Sequence, residues 1–173
     1  MADARPRVLT DEQRLWLTTI PPDLSHKELV RYYTLSPDDV VFILRHNKDE
    51  NRLGIAVQLC GLRYPGRRLV EILPIPGAVL SYIAGQLEVA PEKFHQYGER
   101  EATIYEHRND IREAYGYRNY GSQDLIPLTR HLLPLAMESD EPVPLVQTAL
   151  NYIRQRRIIA PGITTTEGVV WRV

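Results

Sequence analysis

The amino-acid sequence predicts an all-α protein made of two tandem small helical lobes. Helix-starting signals recur along the chain, and apolar residues repeat with the helical period. The period-two alternation of strands is almost absent, so few or no strands are expected. A proline-rich break, EILPIPG at residues 71–77, separates the two halves. We therefore expect a first lobe over residues 1–75 and a second over residues 76–173.

The first lobe contains four predicted helices, each with its own start signal. Capping boxes begin the first two helices at Thr10 and Ser25, because each hydroxyl is followed three residues later by Gln or Glu. Ser36 begins the third helix, with a proline and two acids in its first turn. The fourth is predicted over residues 51–63 and ends at the sequence Tyr-Pro-Gly.

The second lobe restarts with helical patterns after the break. Prolines at 127 and 134 are expected to bend or break one of these helices. The predicted helices cover residues 78–87, a short segment after Pro91, and residues 99–115, 122–137 and 143–157.

Composition excludes several classes of protein. The chain has 173 residues, of which 43% are apolar, so it is long enough to bury a core. A formal net charge of -1 excludes a simple polybasic nucleic-acid binder, and a single cysteine excludes both an internal disulfide and a cysteine-cluster zinc site. No apolar run is long enough for a membrane span or a signal core. We expect a cytoplasmic protein with no membrane partner.

The basic residues are concentrated in two acid-free stretches in spite of the neutral total. The first stretch contains Arg52, Arg63, Arg67 and Arg68. The second lies within residues 142–166 and contains Arg154, Arg156 and Arg157. Both favour phosphate contact. The alternative is that these are ordinary solvated helix ends, and cations at a helix C-terminus also complement the helix dipole.

The fourth predicted helix has an unusual polar side. Its apolar residues cover most of the circumference, whereas Gly54, Gln58 and Gly61 fall on one side. Glycine costs about 1 kcal/mol in a helix interior relative to alanine, so something must approach closely there. One interpretation is a tight helix–helix crossing. The other is close approach to a nucleic-acid backbone, with Gln58 reading an adenine edge.

A second set of candidate residues lies in TIYEHRNDIREAYGYRNY. Tyr105, Arg108 and Arg112 share one helical face. Past the helix, Tyr117 and Arg118 alternate aromatic and cationic groups, a pattern that suits stacking and phosphate contact. The alternative is that Arg108 and Arg112 pair with nearby acids, Glu101, Asp110 or Glu113, on a solvated face.

The sequence predicts no catalytic residue, metal site or cofactor. The five histidines lack metal-ligand spacing, and there is no glycine-rich loop of the GxxxxGK type. Cys60 lies inside an apolar helix and is therefore expected to be a buried, inert thiol. Acid pairs are better explained as helix starts than as metal ligands.

Two long segments carry a family resemblance. RVLTDEQRLWLTTIPPDLSHKELVRYYTLSPDDVVFIL and LGIAVQLCGLRYPGR resemble the N-terminal region of Tn-three family transposases, the bacterial proteins that move replicative transposons. The second half follows the same order, so that the similarity covers about residues 8–163. The tail ITTTEGVVWRV fits less well, because Gly168 and a β-branched run weaken an expected amphipathic helix. A truncated or divergent end is expected there.

The resemblance implies a fold and a function beyond what composition indicates. Such regions are built from helix-turn-helix-like lobes similar to centromere-protein-B-type domains, and they recognise the terminal inverted repeats of the transposon. The Asp-Asp-Glu strand-transfer centre lies far downstream in these proteins, so a non-catalytic module that binds double-stranded DNA is expected here. Self-association would involve the rest of the parent protein. The rival hypothesis is a helical protein-interaction module without DNA contact, which the modest net charge keeps open. The matching positions able to reach DNA are Arg52, Gln58, Arg63, Arg67, Arg68, Arg108, Arg112, Tyr117 and Arg118.

Overall fold

Helices account for nearly all the regular structure in the computed structural model, which describes residues 7–99 and 101–173. This confirms the predicted all-α class. The α-helices are α1 (Asp11–Thr18), α2 (His26–Tyr33), α3 (Pro37–Leu44), α4 (Asp49–Arg63), α5 (Leu69–Ile72), α6 (Gly77–Gln86), α7 (Glu101–Tyr115), α8 (Leu125–Glu138), α9 (Pro142–Gln155) and α10 (Ile163–Val170). Two 3₁₀ helices (Pro91–Gln96, Ser122–Asp124) and two parallel strands, β1 (Arg118–Asn119) and β2 (Ile158–Ile159), complete the described part.

The first three helices begin where the capping signals predict. Thr10 Oγ1 accepts a hydrogen bond from the Gln13 amide at 3.2 Å, and Gln13 Oε1 accepts one from the Thr10 amide at 2.9 Å. The same reciprocal pairs occur at Ser25 with Glu28 and at Ser36 with Asp39. Each box satisfies amides that have no partner inside the helix.

The chain divides into two compact units, at points different from the predicted break near residues 71–77. The central unit is Ile20–Tyr117, and the terminal unit joins the described residues up to Thr19 with Arg118–Val173. Helix α6, which follows the break, packs on α2 and α4 within the central unit. The proline-rich segment is therefore a connection inside one unit and not a boundary between two.

Helix α4 forms the centre of the central unit. Ten consecutive residues, 53–62, are buried. A helix that is apolar on all sides must be covered on all sides, and α2, α3, α5, α6, α7 and the first 3₁₀ helix pack around it. The predicted burial of this helix is confirmed.

The terminal unit is built from the two ends of the chain. Its core contains Leu9 together with apolar residues of α8, α9 and α10. The tail after residue 162 forms α10, which buries Thr166, Glu167, Val169 and Val170, and so it is an integral part of this unit. Helix α8 continues through both of its prolines without a break. None of the described helices is long and apolar enough to cross a membrane.

Candidate nucleic-acid interface

Gln58 lies inside the central unit and not on its surface. The residue is 2% exposed. Its Nε2 donates to Tyr97 Oη at 2.6 Å and to the Ile104 carbonyl at 3.1 Å, and the Tyr97 hydroxyl lies 3.0 Å from His107 Nδ1. An amide used in this way cannot read an adenine edge, so Gln58 is removed from the predicted DNA-contacting set.

The two glycines that flank Gln58 along α4 allow the close approach that the sequence predicts. A Cβ on Gly54 would overlap the Tyr97 ring, and a Cβ on Gly61 would lie 2.5 Å from Ile72 Cδ1. The approaching groups belong to the protein itself. Gly61 lies against Ile72 of α5, as a tight helix–helix crossing requires, whereas Gly54 lies against Tyr97, just after the first 3₁₀ helix. Both positions are filled by protein, so they leave no room for a nucleic-acid backbone.

Arg63 is committed to an internal ion pair. Its two terminal nitrogens donate to the two carboxylate oxygens of Asp39, each at 2.7 Å, and the Tyr115 hydroxyl donates to Asp39 Oδ1 at 2.8 Å. Asp39 is 1% exposed. Burial alone would raise the pKa of Asp39, but hydrogen bonds from Arg63, the Ser36 amide and Tyr115 hold it well below its usual range. The pair joins α3, α4 and α7, so Arg63 has a structural role.

The other arginines of the first acid-free stretch are also buried or bonded within the protein. Arg67 is buried, and this burial lowers its pKa. Arg68 is exposed but its Nε lies 3.1 Å from Glu71 Oε2. Arg52 donates from Nε to the His46 carbonyl at 2.9 Å. The stretch is therefore not a continuous basic surface. Glu71 pairs with Arg68, the His46 carbonyl accepts from Arg52, and Arg67 is buried.

Helix α7 presents part of the predicted second set. Tyr105 is exposed, and the Arg108 guanidinium lies 5.0 Å from the centre of its ring, as the shared helical face predicts. Neither Arg108 nor Arg112 pairs with the three acids considered above in the described part of the chain, and Asp110 instead lies 3.3 Å from His46 Nε2. Tyr117 is buried, so it offers no stacking surface.

The terminal unit brings Arg118 next to the arginines at the end of α9. Strands β1 and β2 pair in parallel with Arg118 opposite Ile158, and the Arg118 amide donates to the Arg157 carbonyl at 3.1 Å. Arg118, Arg156 and Arg157 are exposed, and Arg154 is half-buried. We call Arg118, Arg154, Arg156 and Arg157 the arginine cluster.

Neighbouring groups orient three of the four side chains in the arginine cluster. The Arg156 guanidinium lies 3.6 Å from the centre of the Tyr152 ring, and Arg154 hydrogen-bonds Asn151. Arg118 forms a two-pronged pair with Asp124, whose pKa is lowered mainly by this hydrogen bond. Asp124 is the acid that pairs with Arg118.

Polar residues beside the cluster were missed at the sequence level. The His131 ring lies 4.6 Å from the Tyr152 ring, and Asn119 and Asn151 are exposed. Asn119 follows Arg118 in sequence, Asn151 hydrogen-bonds Arg154, and His131 contacts the Tyr152 ring on which Arg156 lies. No sequence signal identified them.

The described residues contain no group of three or more His, Cys, Asp or Glu residues arranged to hold a metal ion. Cys60 is buried, and burial raises the pKa of its thiol to about 12, as expected for an inert cysteine.

Comparison with known proteins gives consistent relatives. The family model described as a domain of unknown function, DUF4158, matches residues 8–173 and so includes the tail. The chain is 37% identical over 172 residues to the transposase for transposon Tn1546 of Enterococcus faecium, covering 99% of the chain and 17% of that protein. It is 36% identical over 163 residues to the transposase for transposon Tn501 of Pseudomonas aeruginosa and 33% identical over 164 residues to the transposase for transposon Tn21 of Escherichia coli. Each of these matches covers 94% of the chain and 16% of the relative.

Proposed function

Because the chain belongs to the DUF4158 family and is similar to the N-terminal region of Tn-three family transposases, we propose that it is a DNA-binding module that recognises transposon terminal inverted repeats. The module binds double-stranded DNA and does not itself cut it. Cleavage and joining belong to other parts of a transposase. The chain spans only about 17% of the length of the first of these relatives.

The arginine cluster is the observation that carries the proposal. Four arginines from two distant segments meet at one end of α9, where residues 142–166 contain no acid. Guanidinium groups bind phosphate oxygens in two-pronged geometry, and such contacts fix a protein's register on a duplex. The Arg156 guanidinium lies on the Tyr152 ring. Because this contact already restricts the side chain, Arg156 loses less conformational entropy when it binds a phosphate.

Helix α7 supplies a second candidate contact in the central unit. Arg108 and Arg112 occupy one side of the helix, and the exposed Tyr105 ring lies beside Arg108. An aromatic ring with an adjacent cation suits contact with the sugar-phosphate backbone. The proposed DNA-contacting set is therefore Arg108, Arg112, Arg154, Arg156 and Arg157. Arg118 is left out with the buried or internally paired residues of the first stretch, because Asp124 already occupies its guanidinium group.

A binding titration tests the proposal directly. The chain is titrated against a labelled duplex of the terminal repeat of its own transposon and against a scrambled duplex of equal composition. Since each mismatched base pair costs about 1–3 kcal/mol, the scrambled duplex should bind at least about 10-fold more weakly. Footprinting should show protection confined to the repeat.

Matched variants connect the binding to the arginine cluster. Arg156→Ala with Arg157→Ala should weaken binding to both duplexes by the same factor, because phosphate contacts carry no sequence information. Arg45→Ala removes an exposed arginine outside the proposed set and should leave both affinities unchanged. Absence of any complex at micromolar protein would contradict the proposal and favour the rival, a protein-interaction module.

A further inference from the structure

A pocket of about 240 Å³ lies inside the terminal unit, beside α10. One wall is a single face of α10 and of the turn that follows it, and its residues recur at helical spacing: Thr165, Gly168, Val169 and Arg172. The other wall is the chain between β1 and α8, which includes Tyr120 and Leu125. Pockets for drug-sized ligands measure roughly 300–1,000 Å³, so this one has room for a smaller ligand.

Gly168 leaves the space between these walls open. It lies within α10, where glycine has a lower helix propensity than alanine. A Cβ on Gly168 would meet nothing within 4 Å, whereas a Cβ on Gly54 or Gly61 would overlap a neighbouring side chain. Because Thr165 and Val169 line the pocket on either side of Gly168, a side chain at this position would extend into the pocket.

The lining combines aromatic rings with a cation. Tyr120 contributes a half-buried ring, and the Trp171 side chain at the rim is 65% exposed. Arg172 is exposed, and the described residues that line the pocket include no acid. Burial and then the Asp124 carboxylate raise the pKa of Tyr120, and the positive charge of Arg172 opposes this rise, so Arg172 lies close to Tyr120.

We propose that this pocket binds one nucleotide, with its base against the Tyr120 and Trp171 rings and its phosphate on Arg172. Every base has a flat face that stacks on aromatic side chains. A guanidinium group binds phosphate oxygens through two parallel hydrogen bonds. The exposed hydroxyl of Ser122, in the opposite wall from Arg172, can donate to or accept from the polar edge of the base or the sugar.

The composition of the lining favours a nucleotide over simpler ligands. A purely apolar ligand would make no use of Arg172, and inorganic phosphate would make no use of the two rings. A free nucleotide and an unpaired nucleotide of a DNA strand carry the same base and phosphate, so both meet the requirement. The inference does not rest on the proposed function, since the pocket and the arginine cluster share no residue.

Tryptophan fluorescence tests the proposal, because Trp171 lies in the wall of the pocket. The chain has two tryptophans, so Trp16→Phe leaves Trp171 as the sole reporter. Deoxyadenosine monophosphate should quench this emission along a saturable curve, after correction for absorption by the nucleotide. Deoxyadenosine, which lacks the phosphate, should bind at least about 10-fold more weakly, the loss expected for a charge-assisted hydrogen bond. Inorganic phosphate alone should not quench.

Variants made in the Trp16→Phe background connect the quenching to the pocket. Gly168→Leu places a side chain between the walls and should abolish the saturable quenching, while its melting temperature should not fall, since leucine favours a helix more than glycine does. Arg172→Ala should weaken nucleotide binding at least about 10-fold. The controls are Gly85→Ala on α6 and Arg45→Ala, both outside the pocket, and they should leave the affinity unchanged.

A comparison of two duplexes identifies the source of the nucleotide. A terminal-repeat duplex with one unpaired adenine nucleotide is titrated beside the fully paired duplex. Tighter binding of the first, lost in Gly168→Leu, identifies a DNA strand as the source, and quenching by the monophosphate without this difference identifies a free nucleotide.

Two results would overturn the proposal. One is the absence of quenching by the monophosphate together with equal binding of the two duplexes. The other is normal nucleotide binding by Gly168→Leu and Arg172→Ala. Loss of duplex binding alone, with quenching by the monophosphate intact, would contradict the proposed function and support the pocket for a free nucleotide.

Discussion

Arg14 and Glu167 form an ion pair that joins the first helix of the chain to the last across 153 residues of sequence. Arg14 Nη2 lies 2.5 Å from Glu167 Oε2. Glu167 is fully buried, and its Oε1 also accepts hydrogen bonds from the amides of Val8 and Leu9 at 3.2 and 3.0 Å. One carboxylate therefore holds the N-terminal segment against α10 and closes the terminal unit.

Loss of this carboxylate should strongly destabilise the terminal unit. Glu167→Ala leaves Arg14 and two amides without their shared partner. Breaking a buried ion pair costs about 3–5 kcal/mol, so the free energy of unfolding in urea should fall by about that amount. Arg7→Ala removes an exposed pair with Asp11 and should cost no more than about 1 kcal/mol. Equal losses in the two variants would contradict the role given to Glu167.

The glycines of two helices should respond in opposite directions to alanine. Gly54→Ala forces a Cβ into the Tyr97 ring and should destabilise the chain by about 1–3 kcal/mol. Gly85→Ala on α6 meets nothing within 4 Å and should stabilise it by up to about 1 kcal/mol through helix propensity. Melting temperatures of the two variants test this, and a stable Gly54→Ala protein would show that Tyr97 does not pack closely on α4.

Gln58 should affect stability and not DNA recognition. Gln58→Leu removes the donor to Tyr97 Oη and the Ile104 carbonyl, which should lower the free energy of unfolding by about 1–3 kcal/mol. Gln96→Leu changes an exposed glutamine and serves as the control. Once corrected for the folded fraction, the ratio of repeat to scrambled affinity should be the same in both variants. A lower ratio for Gln58→Leu alone would restore Gln58 as a base-reading residue.

Acid should selectively weaken the Asp39 pair. The pKa of Asp39 is lower in the folded chain than in the unfolded chain, so its ionisation stabilises the fold above the unfolded value of about 3.9. That stabilisation is lost as the pH falls below this value. Asp39→Asn should therefore be much less stable than the unmodified chain at pH 7, and the gap should narrow towards pH 3. Asp38→Asn, at the exposed neighbouring position, should show no such gap at either pH.

The salt dependence of DNA binding should reveal the arginine cluster. Each phosphate contact contributes about 0.9 to the slope of log K against log salt concentration. Replacing Arg156 and Arg157 by alanine should flatten that slope by about two units, whereas Arg45→Ala should not change it. An unchanged slope in the double variant would place the end of α9 away from the DNA.

The positions of the helices could be predicted from sequence because their signals are local. A capping box such as Thr10 with Gln13 involves residues three apart, and the period of the apolar residues is visible in any window of the chain. The burial of α4 followed from the same pattern. Gly54 and Gly61 correctly indicated a close contact, although their identity could not show what makes it.

The candidate site was only partly predictable, because exposure depends on partners that are remote in sequence. Arg63 and Arg67 lie in a stretch without acids, yet Asp39 from α3 binds the first and burial removes the second from solvent. In contrast, Arg118 and Arg157 are 39 positions apart and become neighbours because two-residue strands pair there. Such short strands show no recognisable sequence pattern.

The sequence by itself determined the helical class, most helix boundaries and the family, because these depend on local signals and on extended motifs. Only the tertiary structure decided which arginines remain at the surface and how the chain divides. The proline-rich break at residues 71–77 looks like a domain boundary in the sequence. In the structure, however, the N-terminal segment belongs with the C-terminal half, and the ion pair of Arg14 on α1 with Glu167 on α10 joins them. The physical reason is that burial and ion pairing depend on which residues are close in space, whatever their separation in the sequence. A chain with almost no net charge can therefore still bring several arginines together at one end of a helix.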